Sequence, residues 1–272
     1  VSSYGGDGDD TFNINGNSWY CYGNSGEDTF NIKSGVQNTF VDGGGGTNAI
    51  NDHGTNTIKI NVPNANAYSE FFVAGETKII TVNGKEYTIT NTASNDNKNL
   101  VYSIKGDTIE FQGTYFKITG NSEQSHNVKL LSQRMTFTGG NLNDTIIVAN
   151  TARYAAVYGG SGDDYIENNA ADVYMWGQDG NDKIINNGAN SCLIFGGNGD
   201  DTVEITKGTG HYLDAGDGND NVTVLGSASN ATIYGGAGKN TITNKSGNNI
   251  GISGFGDADN CSAIVINPSA SK

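Results

Sequence analysis

The chain has 272 residues, a formal net charge of −14, 40 glycines, two prolines and three cysteines. Glycine is present at about twice its usual share of ~7%, and the scarcity of proline excludes collagen and proline-rich linkers. The acid excess argues against a nucleic-acid partner, which requires a basic surface. No apolar run approaches the ~20 residues that a membrane span needs. The sequence begins without an initiator Met or an apolar signal segment, and we expect it to be a piece of a longer protein.

Residues 1–62 are predicted to form three coils of a stacked repeat. Each coil has a short strand, a polar bend and a second strand, as in residues 11–14 and 19–22. Alternate residues along these strands are apolar, which is the period of a strand with one buried face. One coil is too thin to bury a core, so the coils must stack. A glycine-rich loop opens each coil, and the loops read GGDGDDTFN (5–13), GNSGEDTFN (23–31) and, more weakly, GGGGTNAIN (43–51).

The repeat stops at residues 62–63, and residues 63–134 are predicted to form an inserted antiparallel β module. Residues 82–85 read VNGK, and Asn-Gly between two apolar runs is a strong signal for a two-residue hairpin turn. Residues 104–107, IKGD, indicate a second hairpin. Degenerate coils are the alternative, because the loops that start at residues 43 and 139 are 96 residues apart, close to five coils of 19.

Residues 135–272 are predicted to form the C-terminal part of the solenoid. Six copies of the loop motif start at intervals of 18 to 20 residues, and a fixed period of this kind is typical of a stacked repeat. The copies are GGNLNDTII (139–147), GGSGDDYIE (159–167), GQDGNDKII (177–185), GGNGDDTVE (196–204), AGDGNDNVT (215–223) and GGAGKNTIT (235–243). A degenerate copy of the motif, GFGDADNCS, follows at 254–262.

The loop motif resembles the calcium-binding nonapeptide of the RTX (repeats-in-toxin) family, G-G-x-G-x-D-x-U-x, in which U is a large apolar residue. In the copy at 159–167 the motif is filled by Gly159, Gly160, Gly162, Asp164 and Ile166. The resemblance implies an all-β fold, a right-handed parallel β-roll or β-solenoid with coils of ~18–20 residues, and calcium ions shared by loops one coil apart. The alternate loops, at 168–172, 186–191, 206–210 and 225–230, depart from the motif, which argues against metal on that second edge.

The sixth position of the motif holds an aspartate in eight copies, and stacking brings these carboxylates together. Neighbours roughly 5 Å apart repel by ~3 kcal/mol per pair at an effective dielectric of ~20. Calcium between successive loops would offset this repulsion, because it takes six to eight oxygen ligands, backbone carbonyls among them. The predicted metal ligands are Asp10, Asp28, Asp144, Asp164, Asp182, Asp201, Asp220 and Asp259. Loops with Asn48 or Asn240 at this position lose a charge and are predicted to bind more weakly.

Glycines in the loops are expected to adopt φ > 0 and to turn backbone carbonyls inward. The loop glycines predicted to contribute in this way are Gly6, Gly8, Gly160, Gly162, Gly180, Gly197, Gly199, Gly216 and Gly218.

An aromatic row precedes the loops, and it is predicted to face outward because it alternates with an apolar column. One interpretation is that its rings bind a glycan or a protein partner, and the other is that they shield the sheet by stacking on one another. The row consists of Tyr4, Tyr22, Tyr158, Trp176, Phe195 and Tyr234.

The three cysteines, Cys21, Cys192 and Cys261, fall in mostly apolar, inward columns, which predicts buried thiols. His211 falls in an inward column too and is interpreted as a core histidine. No Ser/His/Asp set or carboxylate pair has catalytic spacing, so we expect no enzymatic activity.

These patterns predict a calcium-binding structural repeat of a large secreted or cell-surface bacterial protein, such as an adhesin, toxin or S-layer-like protein. One alternative is a module that binds a cell-surface glycan or protein through residues 63–134. Another is the accessory domain of a secreted hydrolase or epimerase.

Overall fold

The computed structural model describes residues 1–45, 48–52, 55–60, 67–94, 98–255 and 263–266. Within these ranges the chain forms 28 β-strands and no helix, which confirms the predicted all-β fold. The strands up to residue 130 are β1 (Ser2–Asp7), β2 (Thr11–Ile14), β3 (Tyr20–Ser25), β4 (Thr29–Ile32), β5 (Gln37–Asp42), β6 (Ala49–Asp52), β7 (Thr55–Ile60), β8 (Ala67–Phe72), β9 (Thr77–Val82), β10 (Lys85–Asn91), β11 (Lys98–Lys105), β12 (Thr108–Gln112), β13 (Phe116–Gly120) and β14 (Asn127–Leu130). The later strands are β15 (Thr136–Thr138), β16 (Thr145–Val148), β17 (Ala156–Ser161), β18 (Tyr165–Asn168), β19 (Tyr174–Asp179), β20 (Lys183–Asn186), β21 (Leu193–Asn198), β22 (Thr202–Ile205), β23 (Tyr212–Asp217), β24 (Asn221–Val224), β25 (Ala231–Gly236), β26 (Thr241–Asn244), β27 (Ile250–Phe255) and β28 (Ala263–Ile266).

The first compact unit comprises residues 1–76 and 91–113. In it β1, β3, β5 and β7 form one parallel sheet, and β2, β4 and β6 form another. The pairing is in register with the repeat, since Phe12 lies opposite Phe30 and Ile14 opposite Ile32. The rings of Phe12 and Phe30 stack with centroids 4.7 Å apart. These side chains pack with Cys21 and with other buried residues of the unit in one hydrophobic core.

The second compact unit comprises residues 77–90 and 114–272. The odd-numbered strands from β13 to β27 form one parallel stack, and the even-numbered strands from β14 to β28 form the other. One strand from each stack, with the loops that join them, makes a coil of ~19 residues, so the predicted parallel β-solenoid is confirmed.

The core of the second unit includes two apolar columns, one from each stack of strands. Every member is fully buried, and burying such a side chain contributes about 1.5–3 kcal/mol. The column from the even-numbered strands is Ile146, Ile166, Ile184, Val203, Val222 and Ile242. The column from the odd-numbered strands is Phe137, Val157, Met175, Ile194, Leu213 and Ile233. Period-2 alternation in the sequence therefore fixes which face of each strand is buried.

Both predicted hairpins are present. β9 and β10 pair antiparallel across Asn83 and Gly84, whose φ values of 51° and 72° are those of a type I′ turn. β11 and β12 pair antiparallel across Gly106, and β11 also pairs antiparallel with β8. Parallel pairing in the second unit includes β13 and β14, which lie inside residues 63–134. The limits of the insert itself stay a prediction, and residues 61–66, where it would begin, lie outside the described part of the chain.

Candidate metal site between the loops

In the described part of the chain, seven of the loops that join an odd-numbered strand to the next even-numbered strand have φ > 0 at their second and fourth positions: those at 5–10, 23–28, 159–164, 177–182, 196–201, 215–220 and 235–240. In the loop at 196–201 these are Gly197 and Gly199, with φ of 126° and 123°. A Cβ added at Gly199 would lie well inside 3.0 Å of the carbonyl oxygen of Gly180 in the preceding coil. Each such carbonyl therefore points across the gap between two coils. All nine glycines predicted from the sequence have φ between 104° and 147°, as expected for this role: Gly6, Gly8, Gly160, Gly162, Gly180, Gly197, Gly199, Gly216 and Gly218.

The sixth-position aspartates form a column with a repeated backbone contact. Oδ1 of Asp182 accepts a hydrogen bond from the backbone N–H of Asp164 at 2.8 Å, and Oδ1 of Asp201 accepts one from Asp182 at 2.7 Å. The same bond joins Asp28 to the N–H of Asp10 at 2.9 Å. From Asp164 to Asp220 these carboxylates are only 1–2% exposed.

The second oxygen of these carboxylates has no hydrogen-bond donor. Oδ2 is buried without one in Asp10, Asp28, Asp164, Asp182, Asp201 and Asp220. The neighbouring atoms are themselves acceptors. The place where a Cβ of Gly177 would stand is within 3.0 Å of both Oδ2 of Asp182 and the carbonyl oxygen of Gly196. A buried acceptor without a donor is costly, so this arrangement fits a cation that is bound by oxygen.

Burial and mutual repulsion raise the pKa values of the carboxyl groups in the column. Burial, followed by the charges of Asp182 and Asp144, raises the pKa of Asp164 to about 7. Burial likewise raises the pKa of Asp182 to about 6, of Asp201 to about 7 and of Asp220 to about 6. The folded loops alone therefore disfavour the ionised form, and a positive charge would restore it.

Asp144 differs from the other aspartates of the column. Its Oδ1 accepts the N–H of His126 at 2.6 Å, and its Oδ2 accepts the N–H of Gly140 at 3.0 Å. The fourth position of its loop is Leu142 rather than glycine, and φ is not positive at residues 140–143. Both oxygens of Asp144 thus have donors, and its role as a metal ligand stays a prediction. Asp259 lies outside the described residues.

Sequence reasoning overlooked a second ladder, at the fifth loop position. There the side-chain oxygen of one coil accepts the N–H of the next coil, as Asp163 does from Asn181 at 2.8 Å and Asp200 from Asn219 at 2.7 Å. The sixth-position bonds run in the opposite direction along the stack, so each pair of loops is joined by two reciprocal bonds. The signal was present as a doublet of Asp, Asn or Glu before the apolar residue in most copies.

The second edge of the solenoid carries amides in place of carboxylates. Oδ1 of Asn168 accepts the N–H of Ala170, and Oδ1 of Asn186 accepts the N–H of Gly188. Nδ2 of Asn168 also donates to Oδ1 of Asn186 at 2.8 Å. These groups satisfy one another without a charge, in keeping with the departure of this edge from the motif.

The aromatic row stacks most closely around Trp176. Trp176 stacks on Tyr158 and Phe195 with centroids 4.5 and 5.3 Å away and interplanar angles of 6° and 5°. Its covered faces favour shielding over sugar stacking at this place. Tyr4 stacks on Tyr22 at 4.9 Å in the first unit but is 66% exposed, and Tyr234 lies tilted beside Tyr212.

The predicted buried thiols and the core histidine are present where the chain is described. Cys21 and Cys192 are buried and free, and burial raises the pKa of Cys21 to about 11. His211 is buried, and burial lowers its pKa. Cys261 lies outside the described residues.

No protein-family model matches the sequence, and no curated protein matches it. Among the described residues there is no helix that is long and apolar enough to cross a membrane. In the same residues no three His, Cys, Asp or Glu side chains converge as a metal-binding cluster. A cation between these loops would therefore take most of its ligands from backbone carbonyls.

Proposed function

We propose that the chain is a calcium-binding structural β-roll, similar to the RTX family, from a large secreted or cell-surface bacterial protein such as an adhesin, toxin or S-layer-like protein. The observation that carries this proposal is the unpaired, buried Oδ2 that recurs in six of the described coils, beside loop carbonyls. The proposed ligands are these carboxylates, in Asp164, Asp182, Asp201 and Asp220 of the second unit and Asp10 and Asp28 of the first, with carbonyls of the adjoining loops.

The donor set suits calcium better than a transition metal. Carboxylate and carbonyl oxygens without imidazole or thiolate ligands are typical of hard cations, and a mainly backbone site tolerates the high coordination number of calcium. When bound, calcium would supply the positive charge that these loops lack. At a strand spacing of ~4.8 Å, it would offset about 3 kcal/mol of repulsion for each neighbouring carboxylate pair. We expect affinities on the order of 10⁻⁴–10⁻³ M per site, as in extracellular modules.

This chemistry links folding to the surroundings of the protein. Where calcium is scarce, repulsion within the column and the unpaired oxygens oppose stacking of the coils. Where calcium is at millimolar level, binding to the folded state alone adds its free energy to folding. The proposed role is therefore that of a stalk or folding module that becomes ordered outside the cell.

Circular dichroism tests the proposal directly. In EGTA the chain should give a spectrum of mostly unordered backbone, and millimolar calcium should produce the strand signal. Magnesium at the same concentration is the control, because it keeps its waters and requires near-octahedral geometry. A strand signal of equal strength in EGTA and in calcium, together with equal melting temperatures, would contradict the proposal.

A further inference from the structure

Asn240, in the loop at 235–240, is the last sixth-position residue of the second unit within the described residues, and Asp259 of the next copy lies outside them. Oδ1 of Asn240 accepts the N–H of Asp220 at 2.8 Å, as the aspartates do from their own preceding coils. Its Nδ2 donates to the carbonyl oxygen of Gly235 at 2.6 Å and lies 3.3 and 3.4 Å from those of Gly236 and Ala237. Asparagine has the shape of aspartate, so this amide nitrogen stands where the aspartates have the unpaired Oδ2.

Asn240 is not an ordinary turn residue. An asparagine that only stabilises a turn accepts a hydrogen bond from a backbone N–H two residues later. Here Oδ1 bonds to the preceding coil, and the amide N–H groups bond to carbonyls of the residue's own loop. Asn240 thus supplies N–H donors to loop carbonyls at the place where each aspartate with an unpaired Oδ2 has only an acceptor.

The same exchange occurs in the first unit. Oδ1 of Asn48 accepts the N–H of Asp28 at 2.8 Å, and its Nδ2 lies 3.4 Å from the carbonyl oxygen of Gly45. At the other end of the second-unit column, both oxygens of Asp144 already have donors, so the unpaired oxygens begin at Asp164.

We infer that Asn48 and Asn240 are column caps, whose side-chain N–H groups replace the cation and so interrupt each row of calcium sites. The inference rests on the proposed function. It predicts that the number of bound ions depends on the residue at the sixth position, and that changing a cap to aspartate lengthens the row.

The substitution Asn240→Asp tests this inference. It keeps the acceptor for the Asp220 N–H, removes the amide donor, and places an oxygen opposite the carbonyls of Gly235 and Gly236. Bound calcium is counted by equilibrium dialysis at saturation, and the variant should bind one ion more than the unchanged chain. The matched control is Asn143→Asp, which adds the same charge at an exposed fifth position whose Oδ1 accepts the N–H of Asp163. It should leave the count unchanged.

The converse substitution, Asp220→Asn, moves the cap one coil earlier and should remove one ion. If Asn240→Asp fails to fold, the number of calcium ions bound by Asp220→Asn tests the inference instead. Equal counts for Asp220→Asn and the unchanged chain, or for Asn240→Asp and the unchanged chain when both fold, would overturn the inference and leave the calcium proposal standing. If the unchanged chain binds no calcium, the proposed function fails, and the inference fails with it.

Discussion

Replacing Gly199 by alanine measures how closely the loops of successive coils approach one another. Alanine at φ of 123° is strained, and strain of this kind costs about 1–2 kcal/mol. Its Cβ would also overlap the carbonyl oxygen of Gly180, and restoring an ordinary contact of ~3.5 Å requires the coils to move apart by roughly 1 Å.

That movement weakens the hydrogen bonds between the same two coils. They join Gly180 N to Asn198 O and Asp200 N to Oδ1 of Asn181, each at 2.8 Å. At about 0.5–1.5 kcal/mol for each bond, the total loss is roughly 2–5 kcal/mol. For a unit of this size we expect the melting temperature in calcium to fall by roughly 5–20 °C. The half-saturating calcium concentration should rise as well, because the Gly180 carbonyl is displaced.

Gly210→Ala is the matched control within the same unit. Gly210 has φ of 71°, and the nearest atom to an added Cβ is Oγ of Ser191 at 4.0 Å. This variant should lose only the strain energy of about 1–2 kcal/mol and keep its calcium affinity. Thermal melts followed by circular dichroism compare the two. An equal decrease in melting temperature in both variants would refute the close approach of the Gly180 carbonyl to Gly199.

Three further predictions follow from the electrostatics and the side-chain ladders. The pKa of Asp164 rises from 3.8 to about 7 in the folded chain, so without calcium the folded state binds protons more tightly than the unfolded state. In calcium-free buffer the strand signal in circular dichroism should therefore be strongest below the ordinary pKa of 3.8 and should weaken as the pH rises through 7. A stronger strand signal near pH 8 than near pH 5 would contradict this prediction. Trp176→Ala removes three ring contacts, with Tyr158, Tyr174 and Phe195, and should cost about 1.5–4.5 kcal/mol in a thermal melt, with no change in the calcium count. Asp200→Ala removes the acceptor for Asn219 and should cost about 1–2 kcal/mol. Its calcium count by dialysis should stay the same, because this carboxylate lies outside the column.

The parts of the fold that could be predicted are those in which one physical constraint recurs in every coil. Alternation of apolar residues identifies the inward column, because a slip of one residue would expose it. The glycines at positions such as 162 and 199 identify the loop conformation, because other residues avoid these φ values. Asn83 and Gly84 likewise identify the first hairpin, because they favour a type I′ turn, whose backbone twist matches that of the flanking strands.

The parts that could not be predicted depend on contacts between coils that have lost the motif. Residues 121–129 form part of a coil, with His126 in the place of the aspartate, but no glycine at the second or fourth position marks this loop. The hydrogen-bond ladder at the fifth loop position was not predicted because Asp and Asn alternate there. The feature that these residues share is a side-chain oxygen that accepts a hydrogen bond, and not a charge. The direction of each amide and carboxylate bond likewise depends on the register between neighbouring loops.

The loops at 139–144 and 177–182 show that the glycines and the aspartate act together. Without φ > 0, the first loop turns the N–H of Gly140 toward Asp144, and the carboxylate is satisfied. The second loop has φ of 84° at Gln178, a strained conformation for a residue with a side chain, and its Asp182 keeps an unpaired oxygen. The strained loop thus gives up a donor that the unstrained loop provides. A cation between the coils would offset both the strain and the missing donor, which is why the backbone strain supports the calcium proposal independently of the acidic composition.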